Sequence, residues 1–294
     1  MDYTWPTHGG HRVVEPDQGS QFNPDHDGPV EPVAAVKAWI INLERSHGRR
    51  VHMEHQLVDH LSGLKHEFVV AVDGLSLKAT ERAALVDEEA VARLRMTPGL
   101  IGAVLSHRVV WQRISAGEQP VGLVLEDDVV LSKNVEAIIS EAAEHMAGAE
   151  VVLGYFQSRE PCRFTRTGAV CLSDGRYLAQ PVDADRPLCA AAYLITREAA
   201  ERLAAFVLPV RINNDWKSRR DAHGIDRLRC IVPSPIATDP DFRSTLGYTE
   251  TGSVGGRVLD IVATYRLPPF HQAMRALRSR RLRRERQYVF VDNA

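Results

Sequence analysis

The apolar and polar positions of this chain fall into short blocks whose period changes from strand-like to helix-like and back. The nearly continuous apolar run Val36-Lys37-Ala38-Trp39-Ile40-Ile41-Asn42-Leu43 predicts a buried first strand. Ser46 then stands as a helix cap, with Met53, Leu57, Leu61 and Leu64 at helical spacing behind it. Residues 67–72 (Glu-Phe-Val-Val-Ala-Val) predict a second strand, closed by Asp73-Gly74. This strand–helix–strand opening predicts a parallel sheet with helices on its faces. Residues 80–95 read as one helix. Thr97-Pro98 reads as a cap followed by proline at the first position of another helix, which carries Ile101, Val104, Leu105, Trp111 and Ile114 and ends at Gln119-Pro120. Val121-Gly122-Leu123-Val124-Leu125 predicts a short strand that runs straight into Glu126-Asp127-Asp128. A helix with Val135, Ile138, Ile139, Ala142 and Met146 on one face follows, then strands over 150–156, 188–195 and 227–232, with Thr196 capping a helix after the second of these.

Three stretches lack such a pattern. Residues 1–33, rich in Gly, Pro, His and Asp, are expected to be a disordered leader, neither secretory signal nor folded element. Residues 158–187 are rich in Arg, Asp, Gly and Thr and read as an insertion over the sheet edge, around an active site. Residues 269–294 form a basic, helix-like tail in which Arg275, Arg278, Arg280, Arg281, Arg283, Arg284 and Arg286 crowd together. The remainder, 34–268, is expected to be one α/β domain.

Composition refines this only slightly. The chain has 294 residues, 44% of them hydrophobic, and a net charge of -2, so an anionic partner must be argued from local charge. Its four cysteines form no CxxC pair and predict reduced thiols in a cytoplasmic protein. No run approaches the ~20 apolar residues of a membrane span. The arginine tail reads equally as a solvated charge run or as a dock for anionic lipid head groups at the inner membrane. It carries no interleaved aromatic residues of the kind that would indicate nucleic acid.

Glu126-Asp127-Asp128 carries the most chemistry. Three adjacent carboxylates after an apolar strand require compensation, and a divalent cation such as Mn²⁺ or Mg²⁺ supplies it through oxygen ligands. Strand alternation would set Glu126 and Asp128 on one side and Asp127 on the other. The position, beyond the carboxyl end of a parallel strand, is where open α/β sheets bind ligands. The plainer alternative is a solvated acidic turn.

Several stretches, taken in order, resemble glycosyltransferase family 25, the group containing lipopolysaccharide and collagen galactosyltransferases. They are Ile41-Asn42-Leu43-Glu44-Arg45 with Arg49-Arg50 and Met53; Ala71-Val72-Asp73-Gly74; Thr97-Pro98-Gly99 with Ile101-Gly102, Leu105-Ser106-His107 and Trp111; and Leu125-Glu126-Asp127-Asp128. Weaker matches follow in Ala192-Tyr193-Leu194-Ile195-Thr196, Asn214-Asp215-Trp216 and Pro233-Ser234-Pro235. Leu100 and Ala103 depart from the family pattern, as do residues 158–187 and the stretch around 211–214, so the acceptor is left open.

The resemblance implies a GT-A-like, Rossmann-type sandwich with a mostly parallel sheet and helices on both faces. It also implies a UDP-galactose or UDP-glucose donor, Mn²⁺ or Mg²⁺, and inverting transfer to a hydroxyl of a saccharide, free or lipid-linked, or of another acceptor. It sets Asn42, Arg45, Asp73, Ser106, His107, Glu126 and Asp127 against the nucleotide sugar, and Asp128 with Glu126 on the metal. Asp215 is the implied general base, ahead of Asp183, Asp185 and Asp221; an inverting transfer needs a carboxylate opposite the leaving UDP. Each role has a plainer counterpart. Arg45 reads also as a helix-start surface residue, Asp73-Gly74 as an ordinary turn, His107 as a hydrogen-bonded core histidine and Asp215 as a helix cap. Arg49 and Arg50 read as a solvated helix face. Two rival functions stay open: a non-catalytic nucleotide-sugar binder, and a metal-dependent phosphoesterase.

Overall fold

The computed structural model of the protein describes residues 36–158, 160–212, 216, 224–239, 241–242 and 287–292, with a few isolated positions between 269 and 280. Chain contacts divide the protein into Met1–Pro32 and Val33–Ala294, and the described residues belong to the second unit.

The first half alternates as its apolar blocks predict. Strand β1 is Val36–Asn42, helix α1 His47–His60 and strand β2 Lys65–Val70. Helices α2 (Ala79–Leu85), α3 (Glu88–Arg93) and α4 (Pro98–Ser115) follow, then β3 (Val121–Glu126), β4 (Val129–Leu131) and α5 (Val135–Glu144). The second half contains β5 (Glu150–Leu153), β6 (Cys162–Thr165), β7 (Val170–Cys171), β8 (Tyr177–Ala179), β9 (Ala192–Thr196) and α6 (Arg197–Phe206). Strands β10 (Arg227–Val232), β11 (Ile236–Thr238) and β12 (Tyr288–Val291) complete the described elements.

Eight strands form one sheet in the order β2-β1-β3-β9-β5-β10-β8-β7. Six of them point the same way, and β9 and β8 are reversed. The expected mostly parallel α/β sandwich is therefore present. Strand alternation divides the core in two. Trp39, Ile41 and Val124 pack with Val104, Trp111 and Leu203 under α4 and α6. Ala38, Ile40, Leu123 and Leu125 pack with Met53, Leu57, Ile138 and Ile139 under α1 and α5. The register pairs Ile41 with both Val69 and Glu126, so β1, β2 and β3 deliver their carboxyl ends to one edge of the sheet.

Several expected boundaries move, each for a local reason. The helix expected over residues 80–95 breaks at Val86, which turns extended and bridges Val210; Asp87 then caps α3 by accepting from the Ala90 N–H at 3.0 Å. Strand β2 ends at Val70, because the Val72 N–H leaves the ladder for Ser106 Oγ at 2.8 Å. The strand expected from Leu188 begins only at Ala192, because Cys189 adopts a φ of 86°, a left-handed conformation that no strand continues through. Ser46 stands at the N-cap of α1, where its carbonyl rather than its side chain accepts the first helical N–H groups. Thr97 and Thr196 cap as expected, accepting from the N–H groups of Leu100 and Ala199.

The segment 158–187 does more than cross the sheet edge. Strands β8 and β7 extend the main sheet beyond β10, while β6 pairs in parallel with β12 from the basic tail. Phe290 of β12 meets Phe164 and Tyr177, which ties the end of the tail to this insertion. Of the tail arginines, all but Arg280 lie outside the described residues. Among the described residues no helix is long and apolar enough to cross a membrane.

Two glycines let the loop after β2 lie on the first turn of α4. A Cβ on Gly74 would come 1.8 Å from the Pro98 carbonyl oxygen, and one on Gly102 would come 2.5 Å from that of Val72. Backbone atoms cannot yield as a side chain can. Gly102→Ala is accordingly expected to destabilise the protein by about 1–3 kcal/mol through overpacking. A lowered urea midpoint with an unchanged m-value would register it.

Candidate active site

The carboxyl ends of β1, β2 and β3 supply the candidate site residues, and α1 covers them from one side. Residues 127 and 128 form a turn, so the alternation of β3 ends at Glu126. Asp127 accepts from Asn42 Nδ2 at 2.7 Å through one carboxylate oxygen and from Arg49 Nη1 at 2.6 Å through the other. The same Arg49 Nη1 lies 3.4 Å from Asp128. Glu126 faces the other side of the sheet, where its Oε1 is 3.3 Å from His107 Nε2. The expected sharing of one side by Glu126 and Asp128 is thus replaced by a split: Asp127 and Asp128 toward α1, and Glu126 toward α4.

Arg49 corrects the reading of residues 49 and 50 as a solvated face. Its side chain is only 11% exposed and, beyond both aspartates, its guanidinium lies 5.3 Å from the Phe242 ring. Burial opposes its charge, yet the fields of Asp128, Asp127 and Glu126 more than offset this, so its pKa is raised above the ordinary arginine value. Arg49 offsets one of the three negative charges of the triplet. Arg50 does remain outside, pairing with Glu54 and lying over the Phe68 ring at 4.1 Å.

Beside this cluster, a cleft of about 530 Å³ opens beyond β1 and β2, lined by Leu43, Glu44, Arg45, His47, Val70, Ala71, Asp73 and Ser76. Arg45 and Asp73 form an ion pair within it, and Asp73 also accepts from the Leu75 N–H at 3.1 Å and from Ser76 Oγ at 3.2 Å. Although its slight burial pulls upward, these donors, led by Arg45, hold the Asp73 carboxyl below its ordinary pKa. It is an ionised acceptor at neutral pH.

Ser106 and His107 stand differently from the expectation that they line a donor pocket. Both are 1% exposed. Ser106 Oγ donates to the Gly102 carbonyl and accepts from the Val72 N–H, so it shapes the cleft through the backbone before Asp73. Among the described residues, His107 meets the acidic triplet through Glu126. Asp215 lies outside the described residues, as does Asp221. Asp183 pairs with Arg163 in the insertion.

The donor set suits a hard cation. Glu126 and Asp128 keep 24% and 16% side-chain exposure, whereas Asp127 is committed to Asn42 and Arg49. Among the described residues no three His, Cys, Asp or Glu side chains converge tightly enough to hold a metal ion alone. The arrangement therefore fits a cation that takes one or two protein carboxylates and completes its shell from a ligand's phosphates, the usual habit of Mg²⁺.

The sequence profile of glycosyltransferase family 25 (LPS biosynthesis protein) matches residues 35–216, from the start of β1 through the acidic triplet to Trp216. The chain belongs to glycosyltransferase family 25. Relatives share stretches of it. A protein of Acanthamoeba polyphaga mimivirus named as a glycosyltransferase is 28% identical over 151 residues, covering 51% of this chain and 46% of its own. A glycosyltransferase 25 family member of Aedes aegypti is 35% identical over 107 residues, 34% of this chain and 17% of the relative. The lipooligosaccharide biosynthesis protein lic2B of Haemophilus influenzae is 23% identical over 183 residues, 60% and 65% respectively. This chain thus spans less than two thirds of each relative. Solved structures resemble it distantly: the galactosyltransferase LgtC, in complex with donor and acceptor sugar analogs, has a TM-score of 0.35 at 10% identity over 81% of this chain and 99% of its own.

Membership in family 25 explains which motifs meet. Its stretches around Asn42, Asp73, Gly102 and Glu126 are distant in sequence and adjoin at one sheet edge. Four neighbours of the site receive no site role from single-sequence reasoning: Arg49, Tyr193, Trp216 and Phe242, although Tyr193 and Trp216 lie in the weaker family stretches. Arg49 had a signal in the family stretch itself, two residues after the start of α1. Phe242 had none. It arrives through the pairing of β11 with β4 and the Asp239 N–H donating to the Asp128 carbonyl at 2.8 Å, both long-range contacts.

Proposed function

We propose that this protein transfers a hexose, galactose or glucose, from a UDP-sugar to a hydroxyl of a saccharide acceptor, with inversion at the anomeric carbon. The observation that carries the reading is the link between the acidic triplet and the Arg45–Asp73 cleft at the end of β1, where Asn42 donates to Asp127 and the next residue, Leu43, lines the cleft. A nucleoside diphosphate needs both: a basic and hydrogen-bonding cleft for base, ribose and phosphate, and carboxylates to recruit a cation. Arg45 would meet phosphate or the uracil face, and Asp73 would accept from ribose hydroxyls or the uracil N–H. Although they lean to different sides, Asp128 and Glu126 flank the end of β3, and a cation lying beyond that end would be held by Asp128 with Glu126; Mn²⁺ or Mg²⁺ there would neutralise charge on the departing diphosphate.

Asn42 and Arg49 fix Asp127, so that residue orients the turn rather than meeting the cation. Asp215 would accept the proton from the acceptor hydroxyl as its oxygen bonds to the anomeric carbon and the bond to UDP breaks. The family description and the lipooligosaccharide role of one relative favour a lipid-linked saccharide acceptor, with the arginine tail contacting the anionic membrane face.

A thermal-shift screen of nucleotide sugars with and without Mn²⁺ tests the donor site. Binding to the folded state alone raises the melting temperature by mass action. A rise with one UDP-hexose, dependent on Mn²⁺ and missing with GDP- and CMP-sugars, is the expected result. A flat response to all of them would reject the donor assignment.

A further inference from the structure

Tyr193 occupies the middle of β9, between Val124 of β3 and Leu153 of β5, and is fully buried. A core position of this kind needs no hydroxyl. Yet its oxygen lies 2.8 Å from Trp111 Nε1 and 2.9 Å from His107 Nδ1, and its ring stands edge-on to Trp216 at 4.7 Å. The proton logic of these contacts is restrictive. An indole N–H can only donate, so the Tyr193 oxygen accepts from Trp111. The Tyr193 hydroxyl keeps its own proton and can donate it to His107 Nδ1. The ring proton is left on Nε2, facing the acceptor-only carboxylate of Glu126 at 3.3 Å. This arrangement of hydrogens satisfies all three contacts.

The same tyrosine reaches the other side of the site through Trp216. That indole donates to the Cys189 carbonyl at 2.9 Å. Cys189 holds the left-handed φ of 86°, a conformation that a non-glycine residue keeps only where its surroundings enforce it. Two residues further on, the Ala191 carbonyl accepts the Glu126 N–H at 2.7 Å. Trp216 is also the next residue after Asp215. Glu126 is thus held at its backbone by the segment that Trp216 clamps and at its side chain by His107, and both lines of contact meet at Tyr193.

We infer that Tyr193 is a positioning residue of the transferase site, aiming the Glu126 carboxylate through His107 and, through its packing on Trp216, steadying the segment over Glu126. The inference rests on the reading of Glu126 as a cation-holding residue. A histidine whose second nitrogen is fixed by a hydroxyl presents its first in one direction only. Groups that orient metal-site residues in this way typically alter metal affinity about 10–100-fold when removed.

The test is an Mn²⁺ titration of UDP binding to the full chain, in wild type, Tyr193→Phe, Glu126→Gln and the double variant, with melting temperatures measured alongside. Tyr193→Phe keeps the ring and removes only the hydroxyl. It is expected to raise the Mn²⁺ concentration for half-maximal UDP binding about 10-fold. In the Glu126→Gln background it should change nothing further, since the cycle isolates a coupling between the two residues. A second pair guards against misfolding of the tyrosine variant: His107→Leu should reproduce the shift, and His107→Gln, whose amide can donate from the Nε2 position, should recover much of it. A lower melting temperature with unchanged Mn²⁺ dependence would reduce Tyr193 to a core residue and overturn the inference. An Mn²⁺ dependence that Glu126→Gln itself leaves untouched would overturn the cation-site reading and the inference with it.

Discussion

Asp128→Ala is expected to abolish Mn²⁺-dependent binding of the UDP-sugar and to lower transfer by about 10²–10³-fold, the usual cost of deleting one electrostatic contact to developing charge. The protein should remain folded. Asp128 is partly exposed, and its guanidinium neighbour Arg49 keeps a closer partner in Asp127 at 2.6 Å. Asp127→Ala should behave in the opposite way. It strips both Asn42 and Arg49 of the carboxylate they share, leaves the buried Arg49 charge with the more distant Asp128 at 3.4 Å, and so lowers the melting temperature. The pair of variants separates the residue that meets the cation from the one that holds the turn. If Asp128→Ala binds donor with the same metal dependence as wild type, the acidic site is assigned to the wrong residues.

The second large effect lies at the opposite end of the sheet. Glu150, at the start of β5, is fully buried and pairs with Arg229 of β10, itself 5% exposed. Arg229 also donates to the His145 carbonyl at 2.6 Å, and the second oxygen of Glu150 accepts from the Ala147 N–H at 3.1 Å. Arg229→Ala leaves the Glu150 charge in the interior with the more distant Arg227, at 3.8 Å, as its remaining cation among the described residues, and is expected to destabilise the protein by about 3–5 kcal/mol. Chemical denaturation measures this directly. Replacing both residues with apolar ones of similar volume should recover most of the loss, because desolvation of the pair then disappears with its attraction. A double variant no better than Arg229→Ala would show that the loss comes from packing rather than from charge.

These two sites were unequally legible in the sequence. The triplet announced itself because three adjacent carboxylates at a strand end are a local anomaly, visible without any partner. The Glu150–Arg229 pair gave no comparable sign. Each residue is an unremarkable charge at a strand start or interior, and only the parallel register of β5 with β10 brings them together. Arg49 shows the same division at the site itself. Along the chain it is one of two arginines on a polar helix; the direction in which α1 crosses the sheet buries one and leaves the other in solvent.

The sequence by itself determined β1, α1, β2, α4, β3, α5 and β5, the caps at Thr97 and Thr196, the acidic triplet and the family stretches, because each is written in neighbouring residues and their period. The tertiary structure alone decided that α2 and α3 separate and that β7, β8 and β12 form on and beside the sheet edge. It alone decided that Asp127 belongs to Asn42 and Arg49, and that His107 and Tyr193 stand behind Glu126. Those outcomes depend on which strands become neighbours and on which side chains then find hydrogen-bond partners across long stretches of chain. Local propensity carries no information about a partner more than a few positions away.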